Sequence, residues 1–89
     1  TRMPYYFAFD EAILRRIEKA EKYLIDLGIR DVRVRHHESI ARIETGVTNF
    51  DTIIRYATHI NQHLKDLGYS IITLDLGGYK MGSFNENLK

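Results

Sequence analysis

The chain has 89 residues, a net charge of +1, 44% apolar and 11% aromatic residues, and no cysteine. This length makes one domain with a single core, and the composition is that of a globular chain rather than a disordered one. The missing cysteines exclude a disulfide framework, a zinc ribbon and a thiol nucleophile within these residues and fit a cytoplasmic origin, while the small net charge does not advertise a nucleic-acid binder. No apolar run approaches the ~18 residues that span a bilayer, and no signal-peptide pattern is present, so no membrane partner is expected.

In chain order, Asp10 is a plausible N-cap, and Glu11 stands in the first turn, where a carboxylate favours the helix dipole. Ile13, Ile17, Ala20, Leu24 and Leu27 recur at spacings of four and three and predict one apolar helix face, with Gly28 as the stop. A hairpin is expected over about 31–45. Val32, Val34 and His36 alternate with Arg33, Arg35 and His37, and Ala41 and Ile43 alternate with Arg42 and Glu44. Gly46-Val47-Thr48-Asn49 breaks the pattern and Asp51 offers a second N-cap. Ile53, Ala57, Ile60, Leu64 and Leu67 then repeat the helical spacing up to Gly68. Ser70 to Leu76 is rich in β-formers and reads as a third strand; the tail from Tyr79 has no period.

The order α-β-β-α-β predicts an α+β fold, a two-layer sandwich related to the ferredoxin-like arrangement. Both helices should cover the Val34/Ala41/Ile43 face, with Ile17, Leu24, Val34, Ile43, Ile60 and Leu64 central to the core. A crossover through the second helix makes strand three parallel to strand two. If strand three lies beside strand one, the sheet has order 2-1-3 with every neighbouring pair antiparallel, and that is the arrangement expected.

The hairpin's other face carries three arginines and a glutamate. Guanidinium forks held two residues apart on a strand suit a phosphate or carboxylate, although a solvated outer sheet face has the same pattern. Glu44 shares that face and is placed to orient one of the arginines at less cost than a bare cation cluster. Glu21, at the border of the first helix's apolar stripe, could hold an arginine or a cation, or simply be a solvated flank. His37, beside the arginines, could add a hydrogen bond to an anion. His59 and His63 stand one helical turn apart, a spacing metals use, but Ile60 occupies the position where a zinc-protease helix needs Glu. A structural role is the better reading for both, and no metal ligands are expected. Neither a P-loop ending nor a Ser-Gly-Gly-x-Asp-Ser loop occurs, and no nucleophile–base pair is visible. No catalytic residue is expected in these 89 residues.

Arg2-Met3-Pro4-Tyr5, Val32 to His37 (V-R-V-R-H-H), Ala41-Arg42-Ile43-Glu44, Leu74-Asp75-Leu76 and Gly78 to Glu86 follow one another in that order. Together they resemble the C-terminal region of the PP-loop ATPases related to LarE, the ATP-dependent sulfur-insertion enzymes. The resemblance covers nearly the whole chain. It implies that residues 1–89 are the C-terminal domain of a larger PP-loop ATPase whose N-terminal domain binds ATP and Mg. Such enzymes adenylate a carboxylate of a pyridinium-biscarboxylate mononucleotide and insert sulfur to build the nickel-pincer cofactor. By motif, Arg33 and Arg35 match the arginines that hold the substrate phosphate. Thr1 falls at the serine before Arg-x-Pro-Tyr, and Glu44 and Glu21 match acidic positions nearby. The implied partners are the chain's own N-terminal domain, a phosphorylated small molecule and further copies of the protein. Lys80, Met81 and Phe84 stand where the usual tail has Arg, Ser and Met, and Tyr6-Phe7-Ala8-Phe9 is greasier than the usual polar Gly-Thr segment.

The competing class is a stand-alone small-ligand-binding or oligomerisation module without catalysis. An RNA-binding sheet is the weaker option, because Arg33, Arg35 and Glu44 occupy the positions where a base-stacking platform needs aromatic residues.

Overall fold

In the computed structural model, the described residues are 11–78. Thr1, the Asp10 N-cap, the segment to Phe9 and the tail motif from Tyr79 lie outside them. Helix α1 (Glu11–Asp26) is followed by strands β1 (Arg33–His37) and β2 (Ile40–Glu44). A 3-10 turn (Val47–Asn49), helices α2 (Phe50–Arg55) and α3 (Ala57–Asp66), and strand β3 (Ile71–Leu74) complete the order.

Helices α1 and α3 end in the same way. The Gly28 N–H donates to the Ile25 carbonyl at 2.9 Å and the Ile29 N–H to Leu24 at 3.1 Å. The Gly68 N–H donates to Lys65 at 2.9 Å and the Tyr69 N–H to Leu64 at 3.2 Å. Both glycines have positive φ, 97° and 119°, which a side chain would resist. This turn drives the following residue back into the core, so Ile29 and Tyr69 are buried. Neither belongs to the helical stripes, which is why periodicity does not find them.

The second helix differs from its sequence expectation in two ways. It starts at Phe50, which puts Asp51 inside the first turn rather than at the N-cap. It also breaks at Tyr56 (φ −103°, ψ 20°). The break turns Ala57 out to solvent, and Tyr56 packs against the core in its place. Leu24, Val34, Ile43, Ile60 and Leu64 are buried as expected. Ile17 is only partly buried and lies at the core's margin.

The hairpin pairs Arg33 with Glu44, Arg35 with Arg42 and His37 with Ile40. Its loop is Glu38-Ser39, with Glu38 at φ 56°. The sheet order is β1-β2-β3, with β1 and β2 antiparallel and β2 and β3 parallel. This corrects the expected all-antiparallel 2-1-3 order. The physical reason lies at the two edges of the hairpin. On the β2 side, the Ser70 N–H donates to the Ser39 carbonyl at 2.7 Å and the Asp75 N–H to Ile43 at 2.9 Å. Beside β1, the Val34 N–H is spent on the Glu21 carboxylate of α1 at 2.9 Å. An edge amide satisfied by a charged side chain does not template a further strand.

A partly buried polar network holds the chain between the hairpin and α2. Thr45 is fully buried; its hydroxyl donates to the Arg30 carbonyl at 3.2 Å. Asn49 donates to the same carbonyl and to the Thr45 oxygen, both at 2.8 Å. No helix among the described residues is long and apolar enough to cross a membrane.

Candidate functional site

Strand alternation puts Arg33, Arg35 and His37 of β1 and Arg42 and Glu44 of β2 on the sheet face opposite the core. Thr73, which pairs with Arg42, continues that face on β3. Along the outer side of β1 runs an open cleft of about 570 Å³. Arg33, Arg35, His37 and Arg42 line it from the sheet, and Ile17 and Glu21 from α1. Volumes of roughly 300–1,000 Å³ are usual for small-molecule sites.

Glu44 organises the cations. Its Oε1 accepts from Arg35 Nε at 2.9 Å and its Oε2 from Arg42 Nη2 at 2.7 Å. Its side chain is only 13% exposed. Burial alone would raise its pKa, but the hydrogen bonds and charges of Arg35 and Arg42 together outweigh that and hold it below the ordinary carboxylate value. Arg42 Nε faces Asp75 Oδ2 at 3.7 Å. Among the described residues, three guanidiniums against two carboxylates leave this face net positive. A guanidinium has five N–H donors, and Glu44 takes one from each of its two partners, which leaves donors for an incoming anion.

Glu21 lies on the cleft wall, yet its resolved hydrogen bond is to the Val34 amide between the two arginines. It anchors the strand. His37 is exposed at the hairpin end. His36 points to the core side, where its Nδ1 lies 3.0 Å from the Tyr69 hydroxyl. Burial raises the Tyr69 pKa; the Arg16 charge opposes this and Glu21 adds to it. The Arg16 guanidinium lies 5.5 Å from the Tyr69 ring centre, a cation–π distance. His63 stacks on Tyr23 with ring centres 3.8 Å apart, tying α3 to α1, while His59 is exposed. Among the described residues, no group of three or more His, Asp or Glu could hold a metal ion.

The structure therefore brings Arg33, Arg35, His37, Glu44 and Glu21 to one cleft and its supports; Thr1 lies outside the described residues. Two residues to which the sequence pattern assigns no role in the site also contribute. Arg42 shares Glu44, and Asp75 faces Arg42 from the end of β3. Alternation from Thr73 to Asp75 is the signal that finds the second.

The chain is 38% identical over 88 residues to the pyridinium-3,5-bisthiocarboxylic acid mononucleotide synthase of Lactiplantibacillus plantarum, across 99% of this chain and 32% of that protein. It is 33% identical over 90 residues to an uncharacterized protein of Synechocystis sp., across 99% of this chain and 34% of the relative. The chain thus spans about a third of the length of the curated relatives it matches. No protein-family model matches it. The first similarity relates the chain to one region of that synthase.

Proposed function

We propose that this chain is the C-terminal, substrate-binding and oligomerising domain of a LarE-type sulfur-inserting enzyme, and that its arginine strand holds the phosphate of a pyridinium mononucleotide. The observation that carries the reading is the placement of Arg33 and Arg35 on one side of a cleft large enough for a nucleotide. Similarity to a mononucleotide synthase over nearly all of this chain supports it. On this reading ATP and Mg sit on an N-terminal PP-loop domain of the same protein. The substrate carboxylate attacks the α-phosphorus of ATP there, pyrophosphate leaves, and a sulfur nucleophile then displaces AMP. The residues of this chain bind and orient. Arg33 and Arg35 clamp the phosphate, Glu44 fixes the Arg35 fork, Glu21 fixes the strand, and His37 adds a hydrogen bond at the rim; Thr1, by its motif match alone, supplies a hydroxyl to the same anion. The enzyme acts in the cytoplasm, as a homo-oligomer.

Charge-assisted hydrogen bonds contribute ~1.5–3 kcal/mol each. In the full-length protein, Arg33→Ala or Arg35→Ala is expected to raise the dissociation constant for the pyridinium-biscarboxylate mononucleotide by roughly 10- to 150-fold, with ATP affinity unchanged. Titration calorimetry reads both. Unchanged mononucleotide binding in the double variant would sink the proposal. The coding sequence upstream of Thr1 offers a second check, where the reading requires a Ser-Gly-Gly-x-Asp-Ser loop and a cysteine shortly before Thr1.

A further inference from the structure

Four charges of alternating sign cross the outer sheet face from the end of β3 to β1. Asp75 Oδ2 lies 3.7 Å from Arg42 Nε, Arg42 Nη2 lies 2.7 Å from Glu44 Oε2, and Glu44 Oε1 lies 2.9 Å from Arg35 Nε. Each step crosses or follows a strand, so Asp75 and Arg35 are separated by two strand spacings, ~10 Å. The chain of charges has an internal asymmetry. Glu44 gives one oxygen to each arginine, while among the described residues the buried Nε–H of Arg42 has no hydrogen-bond acceptor and faces the Asp75 carboxylate at 3.7 Å. Asp75 is itself fixed, because its other oxygen accepts the Gly77 N–H at 2.8 Å.

We propose that Asp75 and Arg42 are positioning residues for the anion-binding fork of Arg35. The inference rests on the phosphate-binding reading above and deepens it. Asp75 attracts the Nε side of Arg42 and keeps that guanidinium from turning its Nε–H as well as its Nη2–H onto Glu44. Glu44 Oε1 therefore remains available to Arg35. With its Nε engaged, the Arg35 side chain is locked and its terminal N–H groups are presented for a bidentate contact. Without Asp75, Arg42 takes both oxygens of Glu44 and Arg35 loses its anchor.

This arrangement predicts an effect opposite in sign to simple electrostatics. Removing a carboxylate near a cationic site ordinarily tightens anion binding, and at ~10 Å, beyond the ~8 Å Debye length of physiological salt, that gain is small. Loss of orientation weakens binding instead. The test is Asp75→Asn in the full-length protein, which keeps the oxygen that accepts the Gly77 N–H and removes the charge. Titration with the pyridinium-biscarboxylate mononucleotide should show roughly 3- to 10-fold weaker binding, and titration with its phosphate-free riboside should show no change. In an Arg35→Ala background the same substitution should add less than about twofold, because Asp75 acts through Arg35. Arg42→Lys, which keeps the charge and loses the planar fork, should reproduce the loss. Tighter or unchanged mononucleotide binding in both variants, or an equal loss with and without Arg35, overturns the inference while leaving the phosphate-binding reading intact. No effect of Arg35→Ala itself overturns both.

Discussion

Glu44 shows how one side chain settles the electrostatics of the arginine face. A carboxylate with 13% of its side chain exposed would ordinarily resist ionisation, but two guanidiniums at 2.7 and 2.9 Å reverse that. Its folded pKa therefore lies below its unfolded value of about 4.5. The sign follows from linkage. The stability it contributes is fully present above the unfolded value and is lost as pH falls through the lower folded one. Glu44→Gln is expected to cost about 1–3 kcal/mol at neutral pH, since two charge-assisted bonds weaken and the arginines repel. Urea denaturation across a pH series should show this difference shrinking as pH falls below about 4.5. A difference independent of pH down to about pH 2 would mean that Glu44 is not the titrating partner.

At the scale of elements, α1 serves β1 twice. Its apolar stripe packs on the sheet, and Glu21 accepts the Val34 N–H on the strand's outer side. That bond lies between Arg33 and Arg35 in the chain, so it steadies the backbone from which both guanidiniums project. Amide hydrogen exchange gives a direct test. Glu21→Ala should accelerate exchange at Val34 by roughly tenfold or more, in keeping with loss of a bond worth about 1.5–3 kcal/mol. Glu21→Gln, which retains an oxygen acceptor, should restore most of the protection. Equal protection in both variants would show that another group covers this amide.

For the whole molecule, a single cluster of buried side chains joins both layers, from Ala20 and Leu24 of α1 through Val34, Ala41 and Ile43 of the sheet to Ile60 and Leu64 of α3. Leu24 and Leu64 are fully buried and are also the residues whose carbonyls accept the turn N–H groups of Ile29 and Tyr69. Truncating either to Ala should cost about 2–5 kcal/mol and lower one cooperative transition. Losses below about 0.5 kcal/mol at both positions in chemical denaturation would mean that these helix faces do not form the core.

Helix faces, strand faces and their terminators are local properties of a chain, and here they were legible without coordinates. Spacings of four and three from Ile13 to Leu27 place α1, Gly28 and Gly68 end their helices, and alternation along 32–37 and 41–44 separates apolar from charged residues. The arginine face follows from that alternation alone, because a side-chain period of two leaves no other placement. Strand neighbours are not local. Whether β3 joins β1 or β2 depends on which edge amides already have partners, and Glu21's hold on Val34 across 13 positions carries no periodic signature. The break at Tyr56 and the burial of Ile29 and Tyr69 likewise come from packing and helix-end geometry. The link from Asp75 through Arg42 and Glu44 to Arg35 exists only once β2 and β3 are parallel neighbours, so tertiary structure alone decided it.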